Sequence, residues 1–430
     1  MFRLLANIWS TPDLRKKILF TLGVIVLFRV AAHIPIPGID LNAIRSLVSG
    51  NQLLQLLDLF SGGTLFNFSI IALGLNPYIN ASIIMQLLAV VIPKIEELQK
   101  EGEYGRQKIN QYTRYLAVPI AIVQSYGVII FLQKSGGGLL TGLSLLQLAA
   151  IMATLVAGTL MLMWLGELIT EQGIGNGISL LIFAGIVGRL PVTVLQTKEV
   201  LNPNNLLTIG VVLLLGLAII VGVIIANEGQ RKILIQYARR IRGNRLYGGQ
   251  TTHLPIRLNQ AGVIPIIFAV SIILIPGMLG TFFAQAAPAA SQLARIAKQV
   301  QDLFNNTTFY SSVYFFLVLI FTYVYTSIIF NPIKVADEIK KYGGFIPGIR
   351  PGKSTADYLS FISTRLTLVG GVFLGSVAVA PFIMTNITRI ETLAFGGTGL
   401  LIVISVILET SKQLESQLIM RSYEGFLNKG

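Results

Sequence analysis

Side chains that could catalyse a reaction are scarce in this chain. It has no cysteine, and its two histidines, His33 and His253, flank loops, where a hydrogen-bonded boundary residue is expected rather than a ligand. The sequence contains no HExxH, GxSxG or P-loop pattern, the spacings typical of zinc hydrolases, acyl-transfer enzymes and nucleotide binding. We therefore expect no enzyme, no metal site and no bound cofactor.

Isoleucine pairs recur at helical spacing instead. Ile79 and Ile83 are four residues apart, as are Ile182 and Ile186, so each pair lies on one face of a helix. A ring of such side chains can close a pore by excluding water. Ordinary packing between helices explains the same spacing, and the residues alone leave both interpretations open.

Three amides, Gln86, Gln124 and Asn259, lie within or beside apolar segments. A buried amide needs hydrogen-bond partners, so these residues predict bonds between helices, either as one cluster or as three unrelated pairs. Carboxylates are confined to segment ends and loops, and Arg29 is the ionisable residue that interrupts an apolar segment. Because proton- and sodium-coupled carriers use a carboxylate near the bilayer midplane, this pattern disfavours a coupled carrier.

The elements that must position these residues are membrane helices. The chain has 430 residues, 53% of them hydrophobic and 12% charged, with a mean hydropathy of +0.72, whereas soluble proteins carry about 25% charged residues. The basic start of the chain and the apolar run after it lack the small-residue cleavage site of a signal peptide, so we expect no cleaved leader. Ten apolar segments have lengths compatible with membrane helices: 17–34, 76–93, 113–133, 145–168, 174–190, 206–226, 260–284, 308–331, 366–385 and 394–411.

Lysine and arginine are divided unevenly between the loops. With the N-terminus in the cytoplasm, 25 of the 33 fall on the cytoplasmic side and seven on the opposite side, and loops rich in these residues stay in the cytoplasm. We therefore expect an all-α membrane protein with ten spans and both termini cytoplasmic. Its halves, residues 1–200 and 201–430, have five spans each, so if they are related they are inverted in the membrane around a central pathway.

Two cytoplasmic loops are too long to be turns. In residues 227–258, alternating polar and apolar residues predict a projecting hairpin. In residues 332–365, an amphipathic helix over 333–341 leads to a rigid, proline-flanked tip that carries Arg350. Long loops without a core are usually functional. Because both loops are basic, we predict a docking surface for a soluble partner with acidic patches.

Residues 59–93 hold a short apolar stretch, a Gly-Leu-Asn-Pro break and a fuller helix. Ser61, Gly62 and Gly63 interrupt the first part, and a helix of about a dozen residues reaches only halfway through a ~30 Å hydrocarbon layer. Lipid tolerates a break only where protein or a water-filled cavity surrounds it. We therefore expect a half-helix over 61–73 in a cavity, joined through 74–77 to a full helix.

Long motifs in a fixed order resemble the SecY family of protein-conducting channels over essentially the whole chain. They include IPIPGID at 34–40, ALGLNPYINASIIMQLL at 72–88, ITEQGIGNGISLLIFAGIV at 169–187, RLYGGQTTHLPIRLNQAGVIPIIFA at 245–269 and YGGFIPGIRPGKST at 342–355. The resemblance implies a channel that translocates unfolded preproteins across a bacterial plasma membrane and releases transmembrane segments laterally into lipid. One departure is Asn244, where the family often has arginine.

The resemblance also implies roles for individual residues. A pore ring falls on Ile79, Ile83, Ile182, Ile186, Ile267 and Ile402. A plug that seals the closed channel falls on Ser61, Gly62, Gly63, Leu65, Phe66, Phe68 and Ile70. A lateral gate between the helices at 76–93 and 260–284 holds a polar cluster of Gln86, Gln124 and Asn259. Partner docking falls on Arg239, Arg240, Arg242, Arg245 and Arg350.

The partners that the resemblance implies are the membrane subunits SecE and SecG, the motor ATPase SecA, the ribosome, a nascent or unfolded polypeptide with a signal sequence, and membrane lipid. A secondary transporter of a small solute is the alternative, because it also fits ten spans in inverted halves. The missing midplane carboxylate and the large basic loops favour the channel.

Overall fold

Helices make up most of the chain. The computed structural model describes residues 11–427 apart from gaps at 38, 51–53, 55–57, 59–60, 136–143, 201–205, 238–239, 243–244, 248–250, 287–291 and 389–393. Helices described in the first half are α1 (Pro12–Ala32), α2 (Leu41–Gly50), α3 (Asn76–Val91), α4 (Pro93–Lys100), α5 (Glu103–Ser135), α6 (Leu145–Gln172) and α7 (Gly177–Val200). Those in the second half are α8 (Leu206–Glu228), α9 (Ile264–Ala286), α10 (Gln292–Asn305), α11 (Thr307–Ile329), α12 (Pro332–Lys341), α13 (Lys353–Thr388) and α14 (Ala394–Leu427).

Polar side chains fix where several helices begin. Ser144 and Gln147 form a reciprocal cap at the start of α6, with the Ser144 N–H donating to Gln147 Oε1 at 2.8 Å. Asn306 and Asn331 accept N–H groups from the first turns of α11 and α12. Such caps satisfy N–H groups that have no partner within the helix.

Each of the ten apolar segments predicted from the sequence coincides with one of these helices. The bounds agree to within a few residues, except where a helix extends beyond its apolar segment. Helices α5, α13 and α14 continue well beyond their apolar segments. Hydropathy identifies only the apolar part of a helix, which lipid would surround. A helix can extend beyond that part because its backbone hydrogen bonds do not depend on apolar side chains.

Several of the described helices are suited to a membrane. Four stretches are long and apolar enough to cross it, namely Glu103–Ile130, Leu145–Gln172, Thr307–Lys341 and Lys353–Met384. A fifth is the pair α3 and α4, bent by 101° at the break between them. Shorter apolar stretches are Gly177–Arg189 within α7, Leu214–Glu228 within α8 and Ile264–Gly277 within α9. Large apolar side chains such as Val91, Trp164 and Leu217 are more than half exposed, as expected for surfaces that face lipid.

A small sheet departs from the all-α prediction. Its strands are β1 (Gln230–Tyr237), β4 (Thr251–Arg257) and β5 (Gly344–Phe345), in the order β4-β1-β5, and β2 (Arg240–Arg242) pairs separately with β3 (Arg245–Tyr247). Strands β1 and β4 are antiparallel, with Gln230 opposite Arg257. The hairpin predicted in 227–258 is therefore confirmed, and β5 joins it to the second basic loop.

The half-helix predicted over 61–73 is wrong. Residues 62–75 form successive turns, and helical residues precede them, in α2 and at Asp58 and Ser61. The backbone has positive φ at Gly62 (81°), Gly63 (83°), Gly74 (60°) and Phe68 (38°). Such angles are incompatible with a right-handed helix. We call residues 61–75 the turn segment.

Candidate functional site

Six isoleucines from four helices meet in one hydrophobic core. Helix α3 contributes two of them, α7 two, and α9 and α14 one each, and all six are at most 7% exposed: Ile79, Ile83, Ile182, Ile186, Ile267 and Ile402. We call this group the isoleucine cluster. All six residues predicted for the pore ring are thus buried in one hydrophobic core that excludes water, and their role as a ring stays a prediction.

The turn segment lies between the isoleucine cluster and a second core. Ile71 and Leu75 belong to the same core as the isoleucines. Leu65 and Phe68 pack instead in a neighbouring core formed with α2, α5 and α6, and Phe68 is fully buried. The turn segment is therefore a folded element held on both sides, and the predicted plug residues lie along it.

Close backbone contacts explain two glycines here. A Cβ atom built on Gly62 would lie 2.5 Å from the Cα of Gly185 on α7, and Gly62 also has a positive φ. Only glycine allows both features at once. The turn segment and α7, which carries Ile182 and Ile186, therefore touch backbone to backbone.

Extended residues after α1 form main-chain hydrogen bonds with residues 68–70 of the turn segment. The Ile36 N–H donates to Phe68 O at 3.0 Å, and the Ile70 N–H donates to Ile34 O at 3.0 Å. These bonds flank an antiparallel bridge between Pro35 and Ser69. The IPIPGID motif thus serves as a backbone partner for the turn segment.

Three arginines surround the first half of the turn segment. Arg29 donates from Nη1 to Gly62 O at 3.3 Å, which explains a cation inside an apolar stretch. Arg45 and Arg189 lie over the ring of Phe66, with 5.5 and 5.6 Å between the guanidinium carbon and the ring centroid. Arg189 also pairs with Asp58, a carboxylate that sequence reasoning did not single out.

In the part of the chain that the structure describes, the three amides predicted for the gate are not hydrogen-bonded to one another. Asn259 donates from Nδ2 to Asn227 Oδ1 at 2.7 Å, and Asn227 donates to Ser405 Oγ at 2.8 Å. Gln86 donates to Ser82 Oγ at 3.2 Å on its own helix. Asn259 therefore joins the start of α9 to α8 and α14.

Gln124 faces a cavity at the junction of α3 and α9. The cavity is lined by the turn segment, α3, α5 and α9, with Asn80 and Ser271 among its polar residues and Leu65 and Leu274 among its apolar ones. It lies between the two helices predicted to part as a gate. Of the predicted gate amides, Gln124 is the one that faces this junction.

Asn227 and Ser405 were missed because the sequence does not show which polar residues of separate helices face each other; Asn227 and Ser405 are 178 residues apart. Asp58 was missed because its partner is more than a hundred residues away in the sequence. Asp58 next to the LFSGG run, just before a predicted membrane-embedded break, was the available signal. A carboxylate in such a place needs a cation or hydrogen-bond donors.

The docking arginines are only partly within the described residues. Arg350 is exposed at the loop tip, and its carbonyl accepts a hydrogen bond from Thr355 Oγ1 at 3.0 Å. Arg239 lies outside the described residues, and so do the side chains of Arg240, Arg242 and Arg245 on β2 and β3. The β1–β4 hairpin and the Arg350 loop nonetheless share one sheet.

Comparison with known proteins gives a consistent result. A family model described as SecY matches residues 69–411. The chain is 45% identical to the protein translocase subunit SecY of Mycobacterium leprae over 97% of this chain and 98% of that protein. It is also 45% identical to the SecY subunit of Streptomyces coelicolor over 99% of this chain and 100% of that protein.

Solved structures share the fold. A structure described as a protein-conducting channel aligns over 94% of this chain and 92% of the other, with a TM-score of 0.63 at 19% identity. Sec61 in a canine ribosome-channel complex from the endoplasmic reticulum aligns over the same shares, with a TM-score of 0.58 at 17% identity.

Proposed function

The chain belongs to the SecY family of protein-conducting translocase subunits, and we propose that preproteins cross it through the isoleucine cluster, with the turn segment as the plug. The observation that carries this proposal is that six buried isoleucines from four helices share one hydrophobic core with Ile71 and Leu75 of the turn segment. A polypeptide has no fixed chemistry, so a pathway for it needs no specific binding group. Flexible apolar side chains fit around any sequence and exclude ions when they close.

The ten helices that coincide with apolar segments support ten spans in two inverted halves, residues 1–200 and 201–430. Up to five of these spans meet the length and hydropathy of a membrane helix when the bent pair is counted, and shorter apolar stretches lie within α7, α8 and α9. The excess of lysine and arginine in alternate loops supports cytoplasmic termini. The relatives from Mycobacterium and Streptomyces support a bacterial plasma membrane.

Lateral release uses the junction of α3 and α9, where Gln124 faces the cavity. A signal helix that enters this junction gains about 25 cal/mol for each Å² of apolar surface removed from water. Hydrogen bonds between membrane helices contribute on the order of 0.6 kcal/mol each. Burial of one apolar helix is therefore enough to offset the loss of a few hydrogen bonds between helices.

The docking surface is the sheet formed by both cytoplasmic loops, with Arg350 at its exposed tip. A structure of yeast Ssh1 bound to the 80S ribosome shares the fold, with a TM-score of 0.59 at 16% identity. This supports the ribosome as a partner of the docking surface, and the basic loops suit an acidic motor such as SecA equally well. SecE and SecG are the membrane subunits that we expect beside the spans.

A secondary transporter remains the alternative. Among the described residues, Asp58 is the one fully buried carboxylate; it precedes α3 and is paired with Arg189. It therefore lacks the free carboxylate chemistry of an ion-coupled carrier, and the observations favour the channel.

Reconstitution in proteoliposomes tests the proposal. With the motor ATPase and ATP present, a preprotein with an intact signal sequence is expected to become protected from added protease. The same preprotein with a charged residue in its signal core is the control and is expected to stay accessible. Uptake of a small solute by the purified chain, driven by a sodium or proton gradient and without preprotein transport, would contradict the channel.

A further inference from the structure

Asp58 organises the turn segment from inside. It is 0% exposed. Its Oδ1 accepts the N–H of Phe66 at 2.7 Å, and its main-chain oxygen accepts the N–H of Gly63 at 2.8 Å. A carboxylate that is removed from water and accepts a backbone N–H is strongly bound to the backbone that surrounds it. Asp58 is therefore bound to the turn segment through both its carboxylate and its main-chain oxygen.

Arg189 on α7 supplies the cation for this carboxylate. Its guanidinium pairs with Asp58 Oδ2 and lies against the ring of Phe66, while its side chain is 23% exposed. Arg189 lies three and seven residues after Ile186 and Ile182 on the same helix. One helix thus carries part of the isoleucine cluster and the partner of the turn segment's buried charge.

We propose that the Asp58–Arg189 ion pair is a latch that positions the turn segment over the closed pore. Both are positioning residues, and the inference rests on the proposed function, in which the turn segment is the plug. Any movement of the turn segment away from α7 separates the two charges. The pair therefore favours the seated position of the segment over displaced positions.

The two partners are not equivalent, and this asymmetry makes the latch testable. Loss of Arg189 leaves a fully buried carboxylate without its cation, which is strongly unfavourable in the seated position. Asp58 regains water only if the turn segment moves out. Loss of the Asp58 charge is milder, because an asparagine still accepts the Phe66 N–H and the partly exposed Arg189 reaches water.

A single cysteine in the turn segment reports its position. The chain has no cysteine, so Ser61→Cys gives one buried thiol in the channel complex as isolated from the membrane and placed in lipid nanodiscs. We compare the rate at which a polar maleimide labels this cysteine. The rate is expected to rise on the order of tenfold when Arg189→Met is added, and by a smaller factor when Asp58→Asn is added. The double variant Asp58→Asn with Arg189→Met is expected to label more slowly than Arg189→Met alone.

Arg45→Met is the matched control. Arg45 also lies over the Phe66 ring, at a similar distance, but it is exposed and donates to Asn67 rather than to Asp58. Its loss is expected to leave labelling unchanged. Equal labelling of the Arg45→Met and Arg189→Met proteins, or a double variant that labels as fast as Arg189→Met, would overturn the latch.

Two further measurements keep the result decisive. If Arg189→Met does not fold, Arg189→Lys retains a cation beside Asp58 and is expected to label at nearly the unaltered rate, with Asp58→Asn faster. Equal rates for these two would overturn the latch. Separately, if deletion of residues 61–73 leaves ion conductance unchanged, the plug role fails, while the labelling rates still decide whether the ion pair holds the segment.

Discussion

At the residue scale, the spacing of residues along the sequence predicts which side chains share a face of one helix. It does not predict which faces of different helices are in contact. The pairs Ile79 with Ile83 and Ile182 with Ile186 were predictable because residues four apart lie on the same face of a helix. Ile267 and Ile402 came only from the family resemblance, since the sequence does not state which faces of separate helices converge. The bond from Asn259 to Asn227 is unpredictable for the same reason.

Asn259→Leu is expected to lower the stringency for signal sequences. The change removes the donor to Asn227 Oδ1 and to Gly262 O, two bonds of about 0.6 kcal/mol each. That is about 1 kcal/mol, or on the order of fivefold in an equilibrium. Export of a secreted protein with a weakened signal sequence should rise by this factor.

Gln86→Leu is the matched control for this variant, because Gln86 donates to Ser82 on its own helix. Its effect on export should be clearly smaller. Unchanged export in the Asn259→Leu protein would show that the bond to Asn227 does not restrain the gate.

At the element scale, apolar helices were predictable and irregular elements were not. The ten apolar segments became helices because lipid-facing backbone must satisfy its own hydrogen bonds. The turn segment was misjudged as a half-helix, since its glycines and the positive φ of Phe68 depend on contacts with α7 and α1. Helix α10 was missed because it is amphipathic and polar on average.

Deletion of residues 61–73 is expected to let ions leak through the resting channel. The deletion removes Ile71, which packs in the same core as the isoleucine cluster, and without the proposed plug we expect the isoleucines to close the pore only intermittently. Conductance of the resting channel in a planar bilayer should rise several-fold.

Replacement of the same residues by an equal length of glycine and serine separates the loss of the plug from a shortened connection. This variant should leak as the deletion does. Conductance equal to that of the unaltered channel in both variants would rule out the turn segment as a seal.

At the scale of the whole molecule, the sequence predicted that the two basic loops lie together. The two basic loops were expected on one side, and the structure joins them through the pairing of Gln236 with Phe345. That pairing was not predictable, because β5 is two residues long. Within the described residues, the strands that depart from the all-α prediction lie in these loops.

Arg350→Glu is expected to slow translocation by about tenfold or more without making the resting channel leak. Reversal of an exposed charge at the loop tip turns attraction to an acidic partner into repulsion. The rate of ATP-driven preprotein translocation into proteoliposomes measures this effect.

Lys334→Glu, an exposed change of the same charge on α12, is the control and should have a smaller effect. If the two variants slow translocation equally, net charge rather than the loop tip governs docking.

Disulfide crosslinking of a trapped preprotein tests the pathway most directly. The chain has no cysteine, so one cysteine replaces Ile79, Ile182, Ile267 or Ile402 and another is placed in a preprotein stalled halfway. Leu217→Cys, which is 62% exposed on α8, is the control. We expect crosslinks to all four cluster positions and none to position 217; crosslinks at position 217 that equal or exceed those at 402 would contradict a pathway through the isoleucine cluster.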